Sequence, residues 1–220
     1  MTTQKCAYGY GTGILIGKKY VITVKHVAMP ADFIKNQNSI PVFQDKTPVS
    51  YYIGLNHPTT RWAMARLLGL SNDHDLALLE IIDNDVPDLS ILSTPLLGEV
   101  CETQDVLTRS FPRNILSVSG TYLMNPGLPT IPTPIQCTKR GYISCCDSGR
   151  GILQIDLSAE KGYSGTGVIT TTGKPCGVIF GGSDSNIMDA LCESYNKFIP
   201  FVNNTLKQSI PPLEQIWPEL

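Results

Sequence analysis

Apolar residues along this chain fall in short runs broken by Gly, Pro, Asn and Asp, which is the pattern of strands joined by turns. "GILIGKKYVITV" (13–24) reads as two β-rich runs around "GKK", a hairpin signal, with His26 directly after it. "VSYYIGLN" (49–56) predicts a strand, and so does "AMARLLGL" (63–70), although Ala, Met, Arg and Leu would equally suit a helix. "DLALLEII" (75–82) is nearly all apolar between polar flanks, as a strand buried on both faces would be. Downstream, "QDVLTRSF", "ILSVSGTYL", "IQCTKRGYIS", "GILQIDL", "GTGVITT" and "PCGVIFGG" each predict a short strand. Helical spacing is confined to 186–208, "NIMDALCESYNKFIPFVNNTLKQ". A segment at 84–98 with little periodicity predicts a linker, 124–134 is too proline-rich for regular structure, and the last residues predict an extended tail. No internal repeat is evident.

Composition narrows the function classes. The 220 residues suit one all-β domain or two tightly joined halves, and 19 Gly with 16 Pro spread along the chain disfavour long helices. A net charge of −2 and a pI near 5.9 give no basic face, so no nucleic-acid partner is expected. No apolar run approaches the roughly 20 residues of a membrane helix, which argues against membrane insertion. The N-terminus lacks the pattern of a signal peptide, and seven cysteines without one point to reduced thiols and a cytoplasmic location. No C-x-x-C pair occurs, so no metal is expected.

Candidate chemistry centres on "EKGYSGTGVI" (160–169), where Gly162, Gly165 and Gly167 surround Ser164. Alone this is a turn between strands; with a base nearby it would be a nucleophile held in a tight bend. All three histidines, His26, His57 and His74, precede Ser164. That order, with Thr166 where a nucleophile elbow needs Gly, excludes an α/β-hydrolase arrangement. An Asp–His–Ser order would need Asp32 or Asp45 with His57 or His74, in a chain lacking the helices of a parallel-sheet fold. There remains His–Asp–Ser: His26, then Asp75, then Ser164, with histidine and aspartate from one half and serine from the other. Asp75 is preferred to Asp73 because it directly precedes "LALL". Cys145, Cys146 and Cys176 are weaker nucleophile candidates, since none lies in a glycine-framed bend. His57 and His74 read as surface residues, and Trp62 and Trp217 as packing.

Three blocks resemble one family. "GTGILIGKKYVITVKHV" (11–27), "ARLLGLSNDHDLALLEI" (65–81) and "GILQIDLSAEKGYSGTGVITTTGKPCGVIFGG" (151–182) are similar, in order, to the histidine, aspartate and nucleophile segments of trypsin-like (chymotrypsin-fold) serine peptidases, in the HtrA-like or viral-type branch without a PDZ module. Val24 and Lys25 replace the family's small residues before the histidine, and "SGTG" replaces "SGGP". The resemblance implies an all-β fold of two six-stranded antiparallel barrels with a short C-terminal helix. The halves would be 1–95, carrying His26 and Asp75, and 96–205, carrying Ser164, with a tail at 206–220. It implies a serine endopeptidase acting on polypeptides without a cofactor, of cellular or viral origin. His26 would be the general base, Asp75 its orienting acid, Ser164 the nucleophile, and the N–H groups of Gly162 and Ser164 the oxyanion hole. Ser158 would lie at the base of the primary pocket, with Phe180, Gly181 and Gly182 along one wall, giving a preference for an uncharged side chain. The competing class is an inactive module of the same fold that holds a peptide or protein partner; a structural β-protein that assembles into particles is a third.

Overall fold

The computed structural model describes residues 11–16, 19–29, 51–56, 60–83, 100, 102–110, 136–160, 162–182 and 189–207. The predicted strand at 115–123, the linker, the proline-rich loop, the C-terminal tail beyond Lys207, the 95/96 boundary, His57, Asp32, Asp45 and Trp217 lie outside them, while residues 206 and 207 of the expected tail are described and helical.

The predicted hairpin is β1 (Ile14–Ile16) and β2 (Tyr20–Thr23), paired antiparallel with Leu15 opposite Val21. A single helical turn, α1 (Lys25–Ala28), follows β2, so His26 sits on a turn of helix rather than at a strand end. Among the described residues, β3 (Tyr51–Asn56), β4 (Thr60–Leu70) and β5 (Ala77–Ile81) join them in a five-stranded sheet in the order β1-β2-β5-β4-β3. β4 is the segment whose composition suited a helix. Pairing on both sides, to β3 and to β5, holds it extended, because each backbone group finds a ladder partner there.

The central strands β2 and β5 are mostly apolar because both faces are covered. Tyr20, Ile22 and Leu78 join one buried cluster, while Val21, Leu79 and Ile81 join another on the opposite face. The first cluster is capped by α2 (Tyr195–Lys207), which contributes Tyr195, Phe198, Val202 and Leu206 at helical spacing.

The second half is a closed six-stranded barrel, β10-β11-β8-β7-β6-β9. Its strands are β6 (Asp105–Ser110), β7 (Cys137–Asp147), β8 (Ile152–Asp156), β9 (Gly167–Thr170), β10 (Pro175–Gly182) and β11 (Asp189–Ser194). Inward residues such as Val106, Ile143, Ile155, Val168 and Ile179 fill it. β11 corrects the sequence reading of 186–208 as helical. Residues 189–194 pair with both β8 and β10, and closing the barrel outweighs their helix propensity; the helix starts only at Tyr195.

Candidate functional site

Three local structures meet where the sheet and the barrel join. The first is α1, whose turn is closed by Ala28 N–H donating to Val24 O (3.2 Å) and Met29 N–H to Lys25 O (2.7 Å). The Tyr51 hydroxyl donates to Ala28 O at 3.0 Å, tying the turn to β3, and burial pushes the Tyr51 pKa up. The second is the bend between β4 and β5. Ser71 closes it twice, its N–H donating to Leu76 O (2.9 Å) and its Oγ accepting from His74 N–H (3.1 Å).

This bend presents Asp75 to α1. One carboxylate oxygen accepts the His26 main-chain N–H at 3.0 Å, and the other lies 2.5 Å from His26 Nδ1. The same acid therefore fixes both the backbone and the ring of His26. With Nδ1–H donating to Asp75, the basic nitrogen of a neutral imidazole is Nε2. Asp73, the other candidate acid, is exposed.

The third structure is the turn around Ser164. Tyr163 N–H donates to Glu160 O (3.0 Å) and Thr166 N–H to Tyr163 O (2.8 Å). Gly165 N–H donates to Ile179 O (2.7 Å) and Ile179 N–H to Thr166 O (2.8 Å), which fastens the turn to β10. Gly162 and Gly165 have φ of 102° and 87°, a region in which L side chains are strained. At Gly165 a side chain would also collide with the Thr12 carbonyl oxygen and the Thr23 hydroxyl. Among the described residues neither the Gly162 nor the Ser164 amide N–H has an intramolecular acceptor, so both can serve an external oxyanion.

A short strap before β1 joins the turn to α1. Thr12 N–H donates to Ser164 O (2.8 Å), Thr12 Oγ1 to Gly162 O (2.9 Å), and Thr23 Oγ1 to Thr12 O (2.7 Å). Beside it, a Cβ on Gly11 would stand 2.6 Å from the Val27 side chain and 2.9 Å from Ser164 O. Val27 adjoins His26, so the histidine turn and the serine turn flank one backbone strand.

The remaining predicted residues lie around this seam. Ser158 and Ala159 run toward Gly182, where a Cβ would stand 3.7 Å from Ala159 Cβ. Phe180 packs against the cluster beneath α2, and a Cβ at Gly181 would meet nothing within 4 Å. Cys176 is buried, and its thiol is pushed up to about 12 by that burial, the reverse of what an activated nucleophile needs.

Two features were missed in the sequence. Lys139 Nζ donates to Ser158 Oγ (3.0 Å), Ser158 O (3.1 Å) and Glu160 Oε1 (2.9 Å), and stands 4.8 Å from the centre of the Tyr163 ring. Burial pulls its pKa down, but the nearby Glu160 and Tyr163 side chains outweigh this and leave it above the ordinary lysine value. His74, expected at the surface, is half-buried with Nδ1 3.3 Å from Glu193 Oε2, while Glu193 Oε1 accepts Asp75 N–H at 3.4 Å. No sequence signal links partners more than a hundred residues apart; only the joining of the halves brings them together. Among the described residues no cluster suited to a metal ion occurs, and no helix is long and apolar enough to cross a membrane.

Comparison with known proteins places the fold. Among curated protein sequences none matches the chain. It is similar to the serine endoprotease of Yersinia pestis, with a TM-score of 0.63 and 20% identity over 91% of this chain and 58% of that one. Structures of the HtrA-type protease AlgW with a decapeptide (TM-score 0.61, 15% identity) and with a tripeptide (0.61, 17%) each cover 91% of this chain. These cover 53% and 56% of the AlgW chains, so the chain spans little more than half the length of the proteins it resembles. The sequence model of the trypsin-like peptidase domain matches residues 11–178, every strand of the sheet and much of the barrel, and the chain belongs to that family of trypsin-like serine peptidases.

Proposed function

We propose that the chain is a serine endopeptidase that hydrolyses polypeptides through an acyl-enzyme. Ser164 Oγ attacks the scissile carbonyl while His26 Nε2 takes its proton. Asp75 holds the imidazole and stabilises the imidazolium that forms, and His26 then returns the proton to the leaving amine. The Gly162 and Ser164 N–H groups receive the oxyanion. Loss of one such donor costs about 2.7–4 kcal/mol of transition-state stabilisation in comparable sites.

The observation that carries this reading is the double grip of Asp75 on His26, main chain and ring, beside the turn bearing Ser164. A packing role for His26 would not require a carboxylate on Nδ1. The peptides bound in the AlgW structures support a polypeptide substrate. Ser158 carries no charge and the Lys139 ammonium is matched by Glu160, which supports an uncharged side chain before the scissile bond.

The test is covalent labelling with a fluorophosphonate probe. Wild type labels, chelators do not diminish the reaction, and Ser164→Ala abolishes it. Tight peptide binding by folded wild type with neither labelling nor turnover would replace this reading with that of an inactive binding module.

A further inference from the structure

We infer that Lys139 is a positioning residue for the oxyanion hole, holding Ser158, Glu160 and Tyr163 so that the Gly162 and Ser164 amides aim at one point. The inference rests on the peptidase reading above and names a part of that machinery absent from the motif around Ser164.

Lys139 does not belong to the segment it contacts. It lies on β7, a stave of the closed barrel, opposite Thr108 of β6, which is fully buried. Around Lys139 that stave is laddered to β6 from Cys137 to Tyr142, and from Ile143 onward it is laddered to β8. The segment from Ser158 to Glu160 belongs to no strand, and Gly162 stands two positions after it in the sequence. The ammonium thus ties the least regular part of the site to its most regular part.

Its three N–H bonds have three acceptors: Ser158 O, Ser158 Oγ and Glu160 Oε1. All lie on the approach to the turn, so no proton remains for a ligand. This favours holding over substrate recognition. The Tyr163 ring beneath the ammonium is itself buried, and Tyr163 lies between the two residues whose amides would receive the oxyanion. Fixing that ring restrains both neighbouring peptide planes. Glu160 gains a second task, because its carbonyl accepts the Tyr163 N–H that closes the turn. One cation thereby holds both ends of the Glu160–Tyr163 turn, and a neutral side chain of similar length would hold neither.

The experiment compares wild type with Lys139→Met and Lys139→Arg by steady-state peptide hydrolysis and by hydrogen exchange of peptides spanning 158–166. Lys139→Met lowers kcat about 10–100-fold with KM within about threefold, as for misplaced oxyanion donors. It also speeds exchange in 158–166 while the barrel strands keep their protection. Lys139→Arg recovers most of kcat. Exchange at 158–166 unchanged in folded Lys139→Met, or a loss expressed in KM alone, overturns the inference. If Lys139→Met does not fold, Glu160→Gln and Ser158→Ala remove contacts singly from the other side, and unchanged exchange in both overturns it equally. The exchange readout needs no turnover, so it decides the role of Lys139 even if the wild type fails to label and the peptidase reading falls.

Discussion

Glu80 in the sheet and Glu193 in the barrel each leave 8% of the side chain exposed, yet their proton affinities shift in opposite directions. Burial raises the proton affinity of both. At Glu80, Lys19 and Arg66 stand 2.6 Å from the carboxylate, and their bonds outweigh desolvation, holding its pKa below the usual range. At Glu193 desolvation prevails over the favourable pull of His74 at 3.3 Å, and the pKa rises. The lesson is that the balance between close cationic partners and desolvation decides whether such an acid in this fold stays charged. Glu80 on β5 is a strut tying Lys19, just before β2, to Arg66 on β4, whereas Glu193 is an acid of altered proton affinity just behind Asp75.

Asp75 extends the contrast to a third carboxylate, one whose partner is an imidazole held at both main chain and ring. Breaking it should have the largest effect: Asp75→Asn is expected to lower kcat about 10⁴-fold, whereas Glu193→Gln stays within a few-fold, both read by peptide hydrolysis. Equal losses in the two variants would erase the distinction between the acids. Next in size, Glu80→Gln should destabilise the fold by about 1–2 kcal/mol near pH 7 in urea unfolding, because Lys19 and Arg66 lose a charged acceptor but remain partly solvated. The contribution of Glu80 is complete above its ordinary value of 4.5 and is lost as pH falls through the lowered one, so the penalty shrinks in acid. The smallest effect belongs to Glu193→Gln, under about 1 kcal/mol, with the opposite pH trend. A raised pKa contributes stability fully below 4.5 and loses it as pH rises through the folded-state value, so the substitution becomes more favourable in alkali. A pH series of unfolding midpoints with the same slope for both variants would contradict the comparison.

Much of the fold was legible because these strands have covered faces. Tyr20–Thr23 and Ala77–Ile81 read as apolar runs since each packs on two clusters. The errors fell where pairing overrides propensity. Residues 189–194 carry helix-forming Ala, Leu and Glu, but β8 and β10 both need a neighbour there. His26 directly follows a hairpin signal that gives no hint of helix, yet Val24 caps a helical turn, and the carboxylate accepting the His26 N–H comes from 49 residues away. Gly162 and Gly165 could be picked out because a positive φ leaves a mark in the residue type itself. Lys139 could not. Its contacts depend on strand register and on a side chain crossing from β7 to the segment before Ser164, and nothing in "CTKRGY" marks that lysine off from the arginine beside it.

The Thr12 strap binds the assembly of the two halves to the chemistry. Because Thr12 secures the carbonyls of both Gly162 and Ser164, prying the sheet from the barrel would also unfasten the serine bend. A barrel expressed by itself would then keep its hydroxyl but not the bend's shape, and adding the missing sheet as a separate polypeptide should restore both at once. Reactivity would thus double as a gauge of docking.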